Sequence, residues 1–297
     1  LKLLLARVGC SMQLRMGLAF YLHAVHLAAV AAATAPCGVS EYYSGTDLAL
    51  SGAALASALR ARVSSPHTVI PYTHSSTDVW DALSALDADP ADPSRVLLVY
   101  SQRSVDAGEA GEVSGWSPGW NREHVWPKSY GVGGDGPDFS DLHCLRPCDR
   151  NVNSARSNRF FGACAAGDGS GCVAPAHAEA AGDTARTDDL FMPPAAVRGD
   201  VARCLFYMAV RYDGSEANTE DLSLTSCPCR LRQAMGNLSV LLQWHADDPV
   251  DDAERLRNGR VCAEYQGNRN PFVDHPELVG SLWTPGAQDA TCASGCR

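Results

Sequence analysis

Glu123 and His124 stand side by side in the run Trp120-Asn-Arg-Glu-His-Val-Trp-Pro127. A carboxylate offers hard oxygens to a cation such as Mg2+ or Ca2+, and a neutral imidazole can take a proton from water near neutral pH. Asn153, in Asn151-Val-Asn-Ser-Ala-Arg-Ser-Asn158, offers a further hard oxygen. Mg2+ keeps several waters and often takes only one or two protein ligands beside a substrate phosphate, so a ligand set this small is enough. Arg146, Arg150, Arg156 and Arg159 crowd the same stretch, and Asp149 is the only acid between the first and the last. Planar guanidinium forks suit phosphate.

These side chains need elements that place them together. Adjacent residues on an extended strand point to opposite faces, so Glu123 and His124 reach one site only if the strand bends or bulges at its end. Segments 121–127 and 141–147 are short and partly apolar, and a Gly/Pro/Asp-rich loop separates them. They read as two strands followed by a helix that starts between Asp149 and Asn153 and presents Asn153 from its first turn. Elsewhere, 47–63 reads as a helix capped by Thr46 or Asp47, and 77–87 as a second helix opened by Thr77-Asp78. Val96–Tyr100 suits a buried strand, while 87–93 and 104–119 read as loops. Residues 163–187 look like a loop insertion. Val201, Leu205, Met208, Ala209 and Tyr212 form a helical stripe; Leu238, Leu241, Leu242 and His245 repeat it, and a third helix runs from about Pro249 to Tyr265.

The 297 residues carry 24 Lys and Arg against 34 Asp and Glu, a net charge of −10. With 45% hydrophobic and 20% charged residues, the composition excludes a collagen-like chain, a coiled-coil rod, wholesale disorder and a multi-span membrane protein. An acidic chain has no broad basic coat, so any grip on nucleic acid must be local. Residues 1–33 place Lys2, Arg7 and Arg15 before and within an apolar run that closes on small residues. This reads as a secretory signal, with an uncleaved anchor as the alternative. Twelve cysteines fit the same oxidising compartment, as disulfides rather than zinc ligands, because their spacings are irregular. The tail 284–297, with Cys292 and Cys296, reads as a stapled end.

Longer blocks now carry a resemblance. NREHVWPKS, DLHCLRP and NVNSARSNRFFG resemble the endonuclease I family of secreted, non-specific nucleases, of the ββα-metal (His-Me finger) class. GDVARCLFYMAVRY at 199–212, LSVLLQWHADDPV at 238–250 and QGNRNPFVDHPELV at 266–279 are similar to later blocks of the same family, and the likeness reaches back through Val96–Ser101 to Tyr42-Tyr43. The resemblance implies an α+β fold, with a ββα-metal finger core embedded in a mostly helical single domain over 34–283. It implies that His124 is the general base and that Glu123 and Asn153 hold one divalent metal, Mg2+ ahead of Ca2+ or Mn2+. The implied reaction is hydrolysis of DNA, with RNA as an expected second substrate, to 5′-phosphate and 3′-hydroxyl ends. Arg156 and Arg146 are the expected phosphate contacts, followed by Arg122 and Lys128. No protein partner is expected, and no stable membrane association once the signal is removed.

Blander roles weigh against several residues. His143 reads as a structural ring that holds the strand pair, Asn158 as a loop brace, and Trp244 and His245 as core or rim. Asp274-His275-Pro276 reads as a turn rather than a second metal site. Two other functions compete. A catalytically degenerate module of the same fold would bind nucleic acid without cutting it. A disulfide-rich scaffold would ignore both DNA and Mg2+.

Overall fold

The computed structural model describes residues 37–111, 119–167, 169–227 and 232–284. The expected signal at 1–33 and nearly all of the tail from 284, with Cys292 and Cys296, lie outside them. Among the described residues no helix is long and apolar enough to cross a membrane.

The chain is α+β. Its helices, in order, are α1 (Val39–Tyr42), α2 (Gly52–Val63), α3 (Val79–Leu86), α4 (Arg150–Arg156), α5 (Arg198–Arg211), α6 (Leu238–Asp247), α7 (Asp252–Arg260), α8 (Pro271–Asp274) and α9 (Leu278–Leu282). The strands are short: β1 (Ala88–Asp89), β2 (Asp92–Leu97), β3 (Ser104–Asp106), β4 (Trp120–His124), β5 (Leu145–Asp149), β6 (Phe160–Phe161), β7 (Ala185–Arg186), β8 (Leu190–Met192), β9 (Ser223–Leu224) and β10 (Ala234–Met235).

Strands β4 and β5 pair antiparallel from Trp120↔Asp149 to His124↔Leu145, and α4 follows at once. Asp149 makes that junction abrupt: its carboxylate accepts from the Asn151 and Val152 amides at 2.9 and 3.0 Å. Such a cap is worth about 1 kcal/mol and fixes where the helix begins. The pair is wedged between two apolar clusters. Trp120 and Leu145 pack with α3, Val96 and Leu98, whereas Val125, Trp126, Cys148 and Val152 pack into the larger cluster around α5. Eleven of the fourteen α5 residues are buried, so this helix is central rather than amphipathic.

Asp141, wholly buried just before β5, joins these parts. It accepts from the Tyr207 and Tyr212 hydroxyls at 2.8 and 2.7 Å, from Gln266 Nε2 at 3.1 Å and from the His143 amide at 2.9 Å. Burial alone would raise its pKa, but His67, His143 and the hydrogen bonds overcome that and hold it at about 2.

Several element boundaries differ from the sequence expectation. Helix α2 starts at Gly52 with Ser51 as N-cap, because Asp47 instead accepts from the Ala49 amide in a turn. Residues 87–93 are not plain loop but hold a tight β1–β2 hairpin, and β3 lies within 104–119. The third C-terminal helix begins at Asp252, capped by Asp251, and runs on as a π-helical turn over Val261–Gln266. Asp78 caps α3 with a full capping box, in agreement with the opening read from the sequence.

Disulfides join Cys37 to Cys262 and Cys164 to Cys172, and Cys227 is disulfide-bonded as well. Cys144, Cys148 and Cys204 are buried thiols. Among the described residues no three His, Cys, Asp or Glu side chains gather into a metal cluster.

Candidate active site

Strand β4 and helix α4 enclose an open cavity of about 460 Å3, lined by Asn121, Arg122, Glu123, His124, Lys128, Asn153 and Arg156 among others. Glu123 and His124 both reach it although the β4–β5 register runs without a bulge.

Each side chain is aimed by a partner. The Glu123 carboxylate, 2% exposed, accepts from Tyr100 at 2.9 Å and pairs with Arg156 at 3.3 Å; both contacts fall on Oε1, which leaves Oε2 for a cation. Tyr100 is delivered by the run that starts at Val96, because the Val99 amide donates to the Pro147 carbonyl on β5. Burial raises the Glu123 pKa, against the opposing pull of Arg156 and Tyr100. A carboxylate in that position gains from a bound cation.

His124 Nε2 lies 2.8 Å from the Phe139 carbonyl. A carbonyl only accepts, so Nε2 carries the proton of that hydrogen bond. Asn153 Nδ2 donates to Asn121 Oδ1 at 2.8 Å, which fixes the amide and leaves its oxygen as the other arm. The site thus offers a hard carboxylate oxygen and a hard amide oxygen, donors that suit Mg2+, with an imidazole beside them.

The cations divide. Arg156 is buried against Phe161 and donates to the carbonyls of His124 and Val125 as well as pairing with Glu123, so it braces the site from within. Arg122 is sandwiched between Tyr72 and Trp80, 3.4 and 4.0 Å from the ring centroids, and bonds Thr73 and the Tyr72 carbonyl. Lys128 is exposed at the cavity rim. Arg146 corrects the sequence expectation: it does not line this cavity, and its guanidinium goes to Asp87 at 2.9 Å and Asp200 at 3.6 Å. Arg150 and Arg159 are also engaged, on the carbonyls of Glu109 and Gly111 and of Ala155 and Thr187. The four crowded arginines therefore form no solvated strip.

Other residues fall as read or were missed. His143 is buried on the Asn268 carbonyl, and burial lowers its pKa to about 4 against the help of Asp141. Asn158 bonds Ser129, His245 bonds the Pro276 carbonyl, and Asp274 is spent on Arg269 and Tyr43. Tyr72 and Asn121 escaped the sequence reading. Asn121 sits inside the motif and could have been found there, whereas nothing near Tyr72 signals its place beside His124.

An imidazole, two hard oxygens and a cavity with a cation at its rim are the kinds of groups that phosphodiester hydrolysis uses. Comparison with known proteins agrees: the family model described as Endonuclease I matches residues 51–277. The chain belongs to the endonuclease I family and is a nuclease. It is 44% identical over 257 residues to an extracellular ribonuclease of Bacillus amyloliquefaciens, covering 84% of this chain and 80% of that protein. It is 41% identical over 270 residues to an extracellular ribonuclease of Bacillus subtilis (strain 168), covering 86% and 83%.

Proposed function

We propose that the protein is a secreted, metal-dependent endonuclease that cuts DNA and RNA with little regard for sequence, leaving 5′-phosphate and 3′-hydroxyl ends. The observation that carries this reading is His124, held by the Phe139 carbonyl, in the same cavity as Glu123 and Asn153. His124 Nδ1 takes a proton from the attacking water, and Arg156 keeps the Glu123 carboxylate turned toward the cavity. Glu123 and Asn153 hold the divalent cation, Mg2+ by donor chemistry, which when bound neutralises charge on the phosphate and on the leaving O3′. Lys128 faces the substrate backbone from the rim, with Arg122, stacked between Tyr72 and Trp80, as a fixed cation behind it; Arg146, committed to Asp87 and Asp200, takes no part. Contacts to phosphate carry no base information, which accounts for low specificity.

Secretion is supported by the disulfides, by the signal-like residues 1–33 and by relatives named as extracellular ribonucleases. Residues 34–283 then form the nuclease domain. Digestion of plasmid and RNA with Mg2+ and with EDTA, by wild type and His124→Ala, tests the assignment. Cleavage in EDTA, or by the purified variant within a few-fold of wild type, overturns it.

A further inference from the structure

Lys128 and Ser129 line two cavities at once. One is the Glu123–His124 cavity. The other, about 390 Å3, lies between loop 131–133 and the segments 218–220 and 232–233. That is ample for a small-molecule subsite, and it fits one nucleotide rather than a base pair.

The wall between the cavities has little freedom to move. A Cβ on Gly136 would strike Asp138 Oδ1 and the Asn218 carbonyl, and one on Gly131 would come within 2.8 Å of Leu222 Cδ2. At Gly131 and Gly136 the loop is thus pressed closely against the Asn218–Leu222 segment. The same loop leads into Phe139, whose carbonyl orients His124. The second cavity and the catalytic base therefore share one rigid support.

Its lining suits a nucleotide. Arg232 and Lys128 make no ion pair among the described residues, unlike Arg146 and Arg156. Gln233 donates from Nε2 to Glu220 at 3.4 Å, which leaves its amide oxygen for another partner, and Asn218 supplies a second amide. Such amides pair with base edges. A base can enter only after leaving its stack, which costs least in a single strand.

Resting on the nuclease reading above, we infer that this cavity is a subsite for one unstacked nucleotide beside the scissile bond, with its base on Gln233 and Asn218 and its phosphate on Arg232. The enzyme then cuts single-stranded stretches in preference to duplex.

The test uses short single strands with phosphorothioates at every linkage but one, and an abasic unit moved along the strand, in Mg2+. Wild type, Gln233→Ala and Arg232→Ala are compared on these strands and on the matching duplex. In the wild type, an abasic unit at one position near the cut lowers kcat/KM by about tenfold, the loss of roughly one hydrogen bond. In Gln233→Ala that contrast disappears, and both variants lose preference for the single strand. A flat abasic scan with cleavage intact overturns the subsite and leaves the nuclease reading standing, as does an abasic effect that neither variant changes. Absence of cleavage on every strand overturns the nuclease reading and the subsite with it.

Discussion

Glu123 and Arg146 face each other across the β4–β5 ladder, yet they serve different clusters. Glu123 turns to an open cavity that it lines together with His124 and Asn153. Arg146 enters a closed ion network. There Asp87 is shared by Arg146 and Arg257 at 2.9 and 2.8 Å, and Arg203 spans Asp200 and Glu254 at 3.3 and 2.7 Å. Burial would raise the Asp87 pKa, and the two arginines reverse that; Glu254, next to Asp200, is instead pushed up to about 7 by burial and by its neighbour's charge. The space left inside this network is only about 20 Å3. An arginine is available to a substrate only where no internal carboxylate or carbonyl claims it first.

The contrast can be broken from either end. The largest effect belongs to His124→Ala, which lowers kcat by about 10²–10⁴ with the melting temperature unchanged. Assay and melt on the same preparation check this, and a variant that loses stability instead would move His124 into the structural cluster. Arg146→Ala leaves Asp87 to Arg257 alone and Asp200 to Arg203 alone and destabilises by about 1–3 kcal/mol, while the activity of folded molecules holds. Denaturant melts decide it: an unchanged midpoint with weakened DNA binding would return Arg146 to the substrate.

His143 sharpens the comparison through pH. Its pKa is about 4 folded against 6.5 unfolded, so the unfolded chain binds the extra proton in that window. Stability is complete above pH 6.5 and falls by about 3 kcal/mol as the pH drops to 4, and His143→Asn flattens this slope in melts across the range. Asn153→Ala raises the half-saturating Mg2+ concentration by about tenfold or more, read from activity against metal. The smallest effect is that of Lys128→Ala in the His124→Ala background: the salt dependence of duplex binding flattens by about one unit. An unchanged slope would leave the rim lysine outside the backbone contacts.

Legibility in the sequence followed locality. The α4 start, the Asp78 cap and the α5 stripe were readable because each depends on residues within one or two turns. The partners of the arginines were not: Asp87 meets Arg146 across 59 residues and Arg257 across 170. The same applies to the site, where Glu123, His124 and Asn153 were legible as a motif. The Tyr100 hydroxyl and the Phe139 carbonyl that aim them come from elsewhere in the chain, the latter through a backbone atom that no residue type betrays.

The Cys37–Cys262 bond closes a loop with a sequence separation of 225. Every residue placed in the cavity, the ion network and the neighbouring subsite falls inside that ring or within one short segment of it. A protease that nicks an exposed segment such as 169–175 therefore does not release a fragment. The two pieces stay tethered, and the apolar clusters can keep them in register. Cleavage of this kind would show as two bands only after reduction, with nuclease activity in the unreduced sample still to be found in a single species.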